Sequence, residues 1–337
     1  MGEAVVKKKV VRTKIKKKRS KKARFFRFIF FLLIVGGIIG FLFYFPSCSF
    51  MDTMTKGFST RYSFASQYEA SSKYEKNGYL DKISINWRDG DVKVYTTDDD
   101  KISIVESPNK TVTEKFMMHY NYQETDKYGN TLLIQYCKAG KWNFGDLKKD
   151  LVVYIPKKEN MNVNIHTYNG NINFDLGDLK MDKIQIQSNH GSVDGIFDSA
   201  KTAIMLGSNS KSVDSSYHFN IKQTGTVSDF RCSSCQKMSL DLNIVKSLEA
   251  GSVYNDLILT LNDVNRSDLS NSRGSIYLYI KEDSNYYISI KNKEGQASVT
   301  NNICEKVDEL NYKTGSGSNK INIETNSKIT IDKIVEE

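Results

Sequence analysis

Proline is nearly absent from this chain, at three residues in 337. That excludes a Pro-rich extended stalk and leaves few gaps in the backbone N–H donors that strands need. Histidine is almost as scarce. His119, His166, His190 and His218 have no metal-ligand spacing to one another or to a cysteine, so no metal centre is expected. The motifs G-x-S-x-G, H-E-x-x-H and G-x-x-x-x-G-K-[ST] do not occur, and no catalytic or cofactor residue is assigned. A helical period is equally missing from the body, which removes βαβ folds.

Basic charge is lacking where a nucleic-acid partner would need it. The formal net charge is +9, yet residues 1–24 hold twelve Lys/Arg against one acid, Glu3. The remaining chain has 36 basic and 38 acidic residues, so the body is close to neutral. No nucleic-acid binding is expected of it.

What the chain does have begins with an anchor. Residues 28–45, "FIFFLLIVGGIIGFLFYF", carry no charge and as a helix would span about 27 Å, close to a bilayer's hydrocarbon core. With Phe25 and Phe26 the predicted transmembrane helix is 25–45. A cleaved signal peptide would have a shorter apolar region ending in small residues. Ser47-Cys48 faintly resembles a lipoprotein cleavage site, but Phe45 and Pro46 fit it poorly. The expectation is an uncleaved signal anchor in a single-pass type II cell-membrane protein. The basic tail 1–24 stays cytoplasmic and the C-terminal domain lies outside. Membrane lipid is the implied partner of the helix and tail. Residues 46–78 read as a connector, with a short helix expected in "FASQYEASSKYEKNG".

From Tyr79 onward the period is two. Ile83/Ile85/Trp87, Leu151/Val153/Ile155, Leu240/Leu242/Ile244 and Ile276/Leu278/Ile280 are examples of short strands with one buried face. A phrase recurs with them: "WRDGDVKV", "TYNGNINF", "SNHGSVDG", "EAGSVYND", "SRGSIYLY" and "KEGQASVT". Its glycines, Gly90, Gly170, Gly191, Gly251, Gly274 and Gly295, read as turns. Five of them, with Gly225 and Gly317, recur at steps of 20–26 residues from Gly170 onward, apart from the gap between Gly191 and Gly225. A recurring phrase at such a period predicts stacked repeats, an all-β solenoid, in preference to a Greek-key sandwich. Positive φ is expected at many of these glycines. Residues 105–150 fit the repeat badly and read as an insertion.

These units, above all Ile155-Pro156-Lys157 through Val163 and Ile165 followed by Asn169-Gly170, resemble the repetitive adhesin-like domain of bacterial and some eukaryotic surface proteins. The resemblance covers about residues 79–332 of a repeat ectodomain placed at 79–335. It implies an adhesin-like β-solenoid with no catalytic residues to carry over. Cys232-Ser-Ser-Cys235 is the sharpest local motif. Outside the cell it could be a structural disulfide closing a turn; two stacked buried thiols are the other reading. A redox pair would need a helix N-terminus, which the flanking strands do not offer. Asp89-Gly90-Asp91 and Asp98-Asp99-Asp100 read as solvated turns, without the spacing of a calcium repeat. The expected function is a non-catalytic adhesin-like surface role, with an extracellular glycan or protein as ligand. The alternatives are a polysaccharide-acting β-helix enzyme and a membrane-bound envelope sensor.

Overall fold

The computed structural model describes residues 67–126, 129–138, 147–207, 216–252, 254–291 and 298–334. The basic tail and the apolar run 25–45 lie outside them. Among the described residues no helix is long and apolar enough to cross a membrane.

Among the described residues twenty-one strands form one sheet. In the first part are β1 (Glu69–Ala70), β2 (Lys73–Asn77), β3 (Lys82–Asp89), β4 (Val92–Thr97), β5 (Lys101–Pro108), β6 (His119–Thr125), β7 (Gly129–Gln135), β8 (Lys149–Pro156) and β9 (Met161–Asn169). The middle holds β10 (Ile172–His190), β11 (Val193–Leu206), β12 (His218–Ser234), β13 (Lys237–Ser252) and β14 (Leu257–Asn271). The last part holds β15 (Ile276–Ile280), β16 (Tyr286–Lys291), β17 (Val299–Asn301), β18 (Glu305–Lys306), β19 (Asn311–Lys313), β20 (Asn319–Thr325) and β21 (Ile329–Lys333).

The alternating pattern produces a parallel stack of two lanes. Each middle strand lays its first half in one lane and its second half in the other, with a register shift near the middle of β10, β11 and β12. Turns join the lanes on the opposite side. From Met238 to Leu257 and again to Ile276, partners lie 19 residues apart, so one rung follows the next. Inward residues align in columns. Ile85, Ile165, Ile186, Met205, Cys232, Ala250, Leu269, Ile323 and Ile290 stand on successive strands of one lane, all buried. Both lanes feed one continuous apolar cluster, where each fully buried Ile or Leu contributes about 1.5–3 kcal/mol. Among the described residues the expected all-β repeat stack is therefore present, and a Greek-key sandwich is not.

The ends depart from simple sequence order. The rung β3–β4 comes first in the chain but lies second in the stack, between β7–β8 outside and β9–β10 inside. At the far end β20–β21 is slotted between β14–β15 and the outermost β16–β17. Antiparallel strands then cover much of both ends: β5 and β6 on one, β19 on the other. Such covering hides parallel edges that would otherwise template pairing with another chain. Residues 105–150 are thus not an insertion: they hold cap strands and β7, the first half of the outermost rung. Nor is 69–77 helical. Tyr74 and its neighbours pair antiparallel with β5, and its ring meets Tyr120 at 4.4 Å.

Candidate functional site

The turn edge of the stack gathers the polar residues that the sequence marked. Gly90, Gly170 and Gly191 have φ of +118°, +155° and +156°. They also sit directly over one another: a Cβ on Gly170 would strike the carbonyl of Gly90, and one on Gly191 the carbonyl of Gly170. The polar residue after each glycine has a matching task. Asp150 Oδ1 accepts the Asp91 N–H, Asp91 Oδ1 accepts that of Asn171, and Asn171 Oδ1 accepts that of Ser192, each at 2.9 Å. Ser192 Oγ passes the ladder on to the His218 N–H at 3.2 Å. On the other side of the glycines Asn169 Nδ2 donates to Asp89 Oδ1 at 3.0 Å. The result is a glycine-floored groove of about 300 Å³, bounded by Lys148, His190 and Tyr217. Asp89 and Asp91, read as a solvated turn, are built into the framework instead, whereas Asp98, Asp99 and Asp100 form the exposed bend expected of them.

The remaining glycines behave differently. Gly251 lies inside β13, its backbone paired between Ser233 and Ser270, with no positive φ. It is a strand residue and not a turn, because the strand runs on to Ser252. Gly274 does sit in a turn, but also without positive φ. That turn is held by Asn271 Oδ1, which accepts the Gly274 N–H at 2.9 Å, and by Asp256 Oδ1 on Ser275. What Gly274 supplies is closeness, since a Cβ would meet the carbonyl of Asn255. Gly295 lies outside the described residues.

One constellation escaped the sequence because its members sit on different rungs. Ser192 Oγ lies 3.3 Å from His218 Nδ1, and His218 Nε2 lies 3.1 Å from Asp194 Oδ1. It has the residue types of a nucleophilic triad but not the surroundings. Ser192 Oγ already accepts the His218 amide, and the Ser192 amide is committed to Asn171, so neither serves a developing oxyanion. The other histidines are structural. His190 packs edge-on against Tyr168 at 5.1 Å, His166 is buried, and buried His119 bonds the Met117 carbonyl with its pKa lowered by burial. Among the described residues no group of three or more His, Cys, Asp or Glu is placed to hold a metal.

Cys232, Cys235 and Cys304 stand as free thiols, and Cys48 lies outside the described residues. Cys232 occupies the inward column between Met205 and Ala250, with Sγ 3.3 Å from Met238 Sδ. Burial pushes it up to about 12. Cys235 falls in the turn before β13. Cys232 is thus a small hydrophobe in a core position rather than half of a turn-closing bridge. Cys137 and Cys304 lie near opposite ends of the stack.

Sequence reasoning also missed a buried ion pair at the first cap. The Lys149 ammonium is fully buried, 2.7 Å from Glu106 Oε2, bonded to the Phe116 and Tyr136 carbonyls, and 4.1 Å from the centre of the Tyr136 ring. Burial pushes the lysine down and the glutamate up, while each partner pulls the other back. Lys149 lies in the charged run "DLKKD"; the rung stacked outside β4 puts it indoors.

Comparison with known proteins places this architecture. No curated protein matches the chain. A crystal structure described as a candidate cell adhesion protein from Clostridium sporogenes is 14% identical, covers 78% of this chain and 99% of its own, and superposes with a TM-score of 0.29. Another, of a candidate adhesin from Bacteroides fragilis, is 13% identical, covers 78% and 96%, and gives 0.30. The family model described as Toastrack DUF4097 matches residues 80–331, the whole stack from the entry of β3 to β21. The chain belongs to the Toastrack DUF4097 family.

Proposed function

We propose that this is a membrane-anchored, adhesin-like surface protein with a non-catalytic binding or structural role. The helix 25–45 holds it in the cell membrane as a type II protein, the basic tail meets the inner lipid surface, and the stack is displayed outside. An extracellular glycan or protein is its ligand. The observation that supports a non-catalytic role is the use made of polar groups. Asp91, Asp150, Asn171 and Ser192, the residues best placed for chemistry at the turn edge, are engaged in hydrogen bonds between rungs. The outward faces of the strands carry polar side chains at a regular rung spacing, which suits a binding surface.

The test uses intact cells carrying the full chain. External protease is expected to digest residues 46–337 while an epitope on the tail survives, and the cells should retain an immobilised ligand without releasing products. A protected body, a mature N-terminus at Cys48, or turnover of the ligand would overturn the proposal.

A further inference from the structure

A second groove lies away from the turn edge. It lies on the outward face of the lane formed by β13, β14, β20 and β16, with a volume of about 420 Å³. Two rows of side chains cross these strands. Glu249, Asp268 and Asn322 are register partners in one row. Gly251, Ser270, Glu324 and Lys291 are partners in the next. Four strands at about 4.8 Å spacing make the groove about 14 Å long.

We infer that this groove binds a polyhydroxylated saccharide chain laid across the strands. The inference rests on the binding reading above and deepens it by giving the place and the ligand chemistry. Donors and acceptors are mixed along the groove. Asp268 Oδ2 pairs with Arg266 Nη2 at 3.1 Å, and Asn322 Nδ2 donates to Asp268 Oδ1 at 2.8 Å, so the central carboxylate is held in position before any ligand arrives. Glu249 and Glu324 border the groove on either side, and Lys291 stands at the far end. A metal cation would meet Arg266 and Lys291 among the carboxylates, and an anion would meet three carboxylates. A ligand whose hydroxyls both donate and accept suits the mixed polar lining, and successive pyranose rings advance by about one rung.

The groove also accounts for a glycine that the fold does not require. Gly251 has ordinary strand geometry, and glycine inside a strand is unfavourable unless something must approach closely. A Cβ there would come within 2.6 Å of Ser270 Oγ, a groove-lining hydroxyl free to rotate. A larger side chain at 251 would project beside Ser270 and over the groove.

The experiment presents immobilised neutral oligosaccharides, from mono- to hexasaccharide, to the full-length protein in detergent micelles. Wild type is expected to retain the longer chains and release the shortest. Gly251→Val, a good strand former, should lose binding at least tenfold with no fall in melting temperature. Glu249→Ala, an exposed change, should weaken binding severalfold and keeps the test decisive if the valine variant folds poorly. Unchanged binding in both variants would overturn the site. Failure of the protein to retain any saccharide, while intact cells still hold a protein ligand, would overturn this inference and leave the proposed function standing. Release of shortened saccharide would instead overturn the non-catalytic reading.

Discussion

Replacing Gly90 and Gly251 by alanine should move stability in opposite directions. At Gly90 two costs combine. Its φ of +118° is one that L residues rarely adopt, at about 1–3 kcal/mol. The new Cβ would also point into the backbone of Lys149 on the neighbouring rung. Backbone in a hydrogen-bonded stack cannot rotate away, so relieving the overlap costs a further ~1–3 kcal/mol. Together the loss is about 2–6 kcal/mol. At Gly251 the dihedrals are ordinary and the only near atom is the end of the Ser270 side chain. Alanine there restricts the unfolded chain and is expected to stabilise by about 0.4–1 kcal/mol. Urea melts followed by circular dichroism would measure both, with the midpoint shifting at constant slope. In thermal melts the Gly90 variant should fall by about 2–4 °C per kcal/mol. If Gly90→Ala melts like wild type, or Gly251→Ala loses as much as Gly90→Ala, the rung-on-rung account of the turn edge is wrong.

Removing one partner of the buried Lys149–Glu106 pair, as in Glu106→Gln or Lys149→Met, should cost about 3–5 kcal/mol, and the double variant should lose less than the two single losses together; additive losses in a double-mutant cycle would deny the coupling. Cys232 should resist iodoacetamide in the folded protein and react once it is unfolded, because burial holds its thiol at about 12; mass spectrometry without reductant should find Cys232 and Cys235 unbridged. The Asp81 carboxyl is held below its usual range by Lys158 and by the Asn130 N–H at 2.7 Å. Its contribution is therefore complete above the unfolded pKa of about 3.9 and is lost as pH falls through the lower folded value. Asp81→Asn should flatten the stability–pH profile below about pH 4, and an unchanged slope there would refute the assignment.

Much of this protein was legible without coordinates because its repeating signals are local. Alternation at period two states which face of a strand is buried, and a glycine beside a polar residue states where the lanes turn. Ile165 and Ile186 declare themselves inward in this way, and "DGD", "NGN" and "HGS" declare a common edge. What local signals do not carry is the order of rungs. The chain enters at β3 and returns to it 80 residues later at β9, as in the pairing of Ile85 with Ile165. Whether β7–β8 then stacks outside or inside depends on which edge is free when the ends close, a property of the whole assembly. The same closure decides residues whose type misleads. Gly251 repeats the turn phrase but lies in a strand, Cys232 sits in a redox-like motif but fills a core column, and Lys149 lies in a charged run but is buried. Asn243 looks outward by alternation, and there its side chain is engaged, donating to the Thr224 carbonyl at 2.6 Å. The sequence by itself determined an all-β stack with one buried face per strand, because side-chain alternation follows from backbone geometry alone. Only the tertiary structure decided the interleaved ends, the buried ion pair and the grooves, because each depends on contacts between residues far apart in the chain.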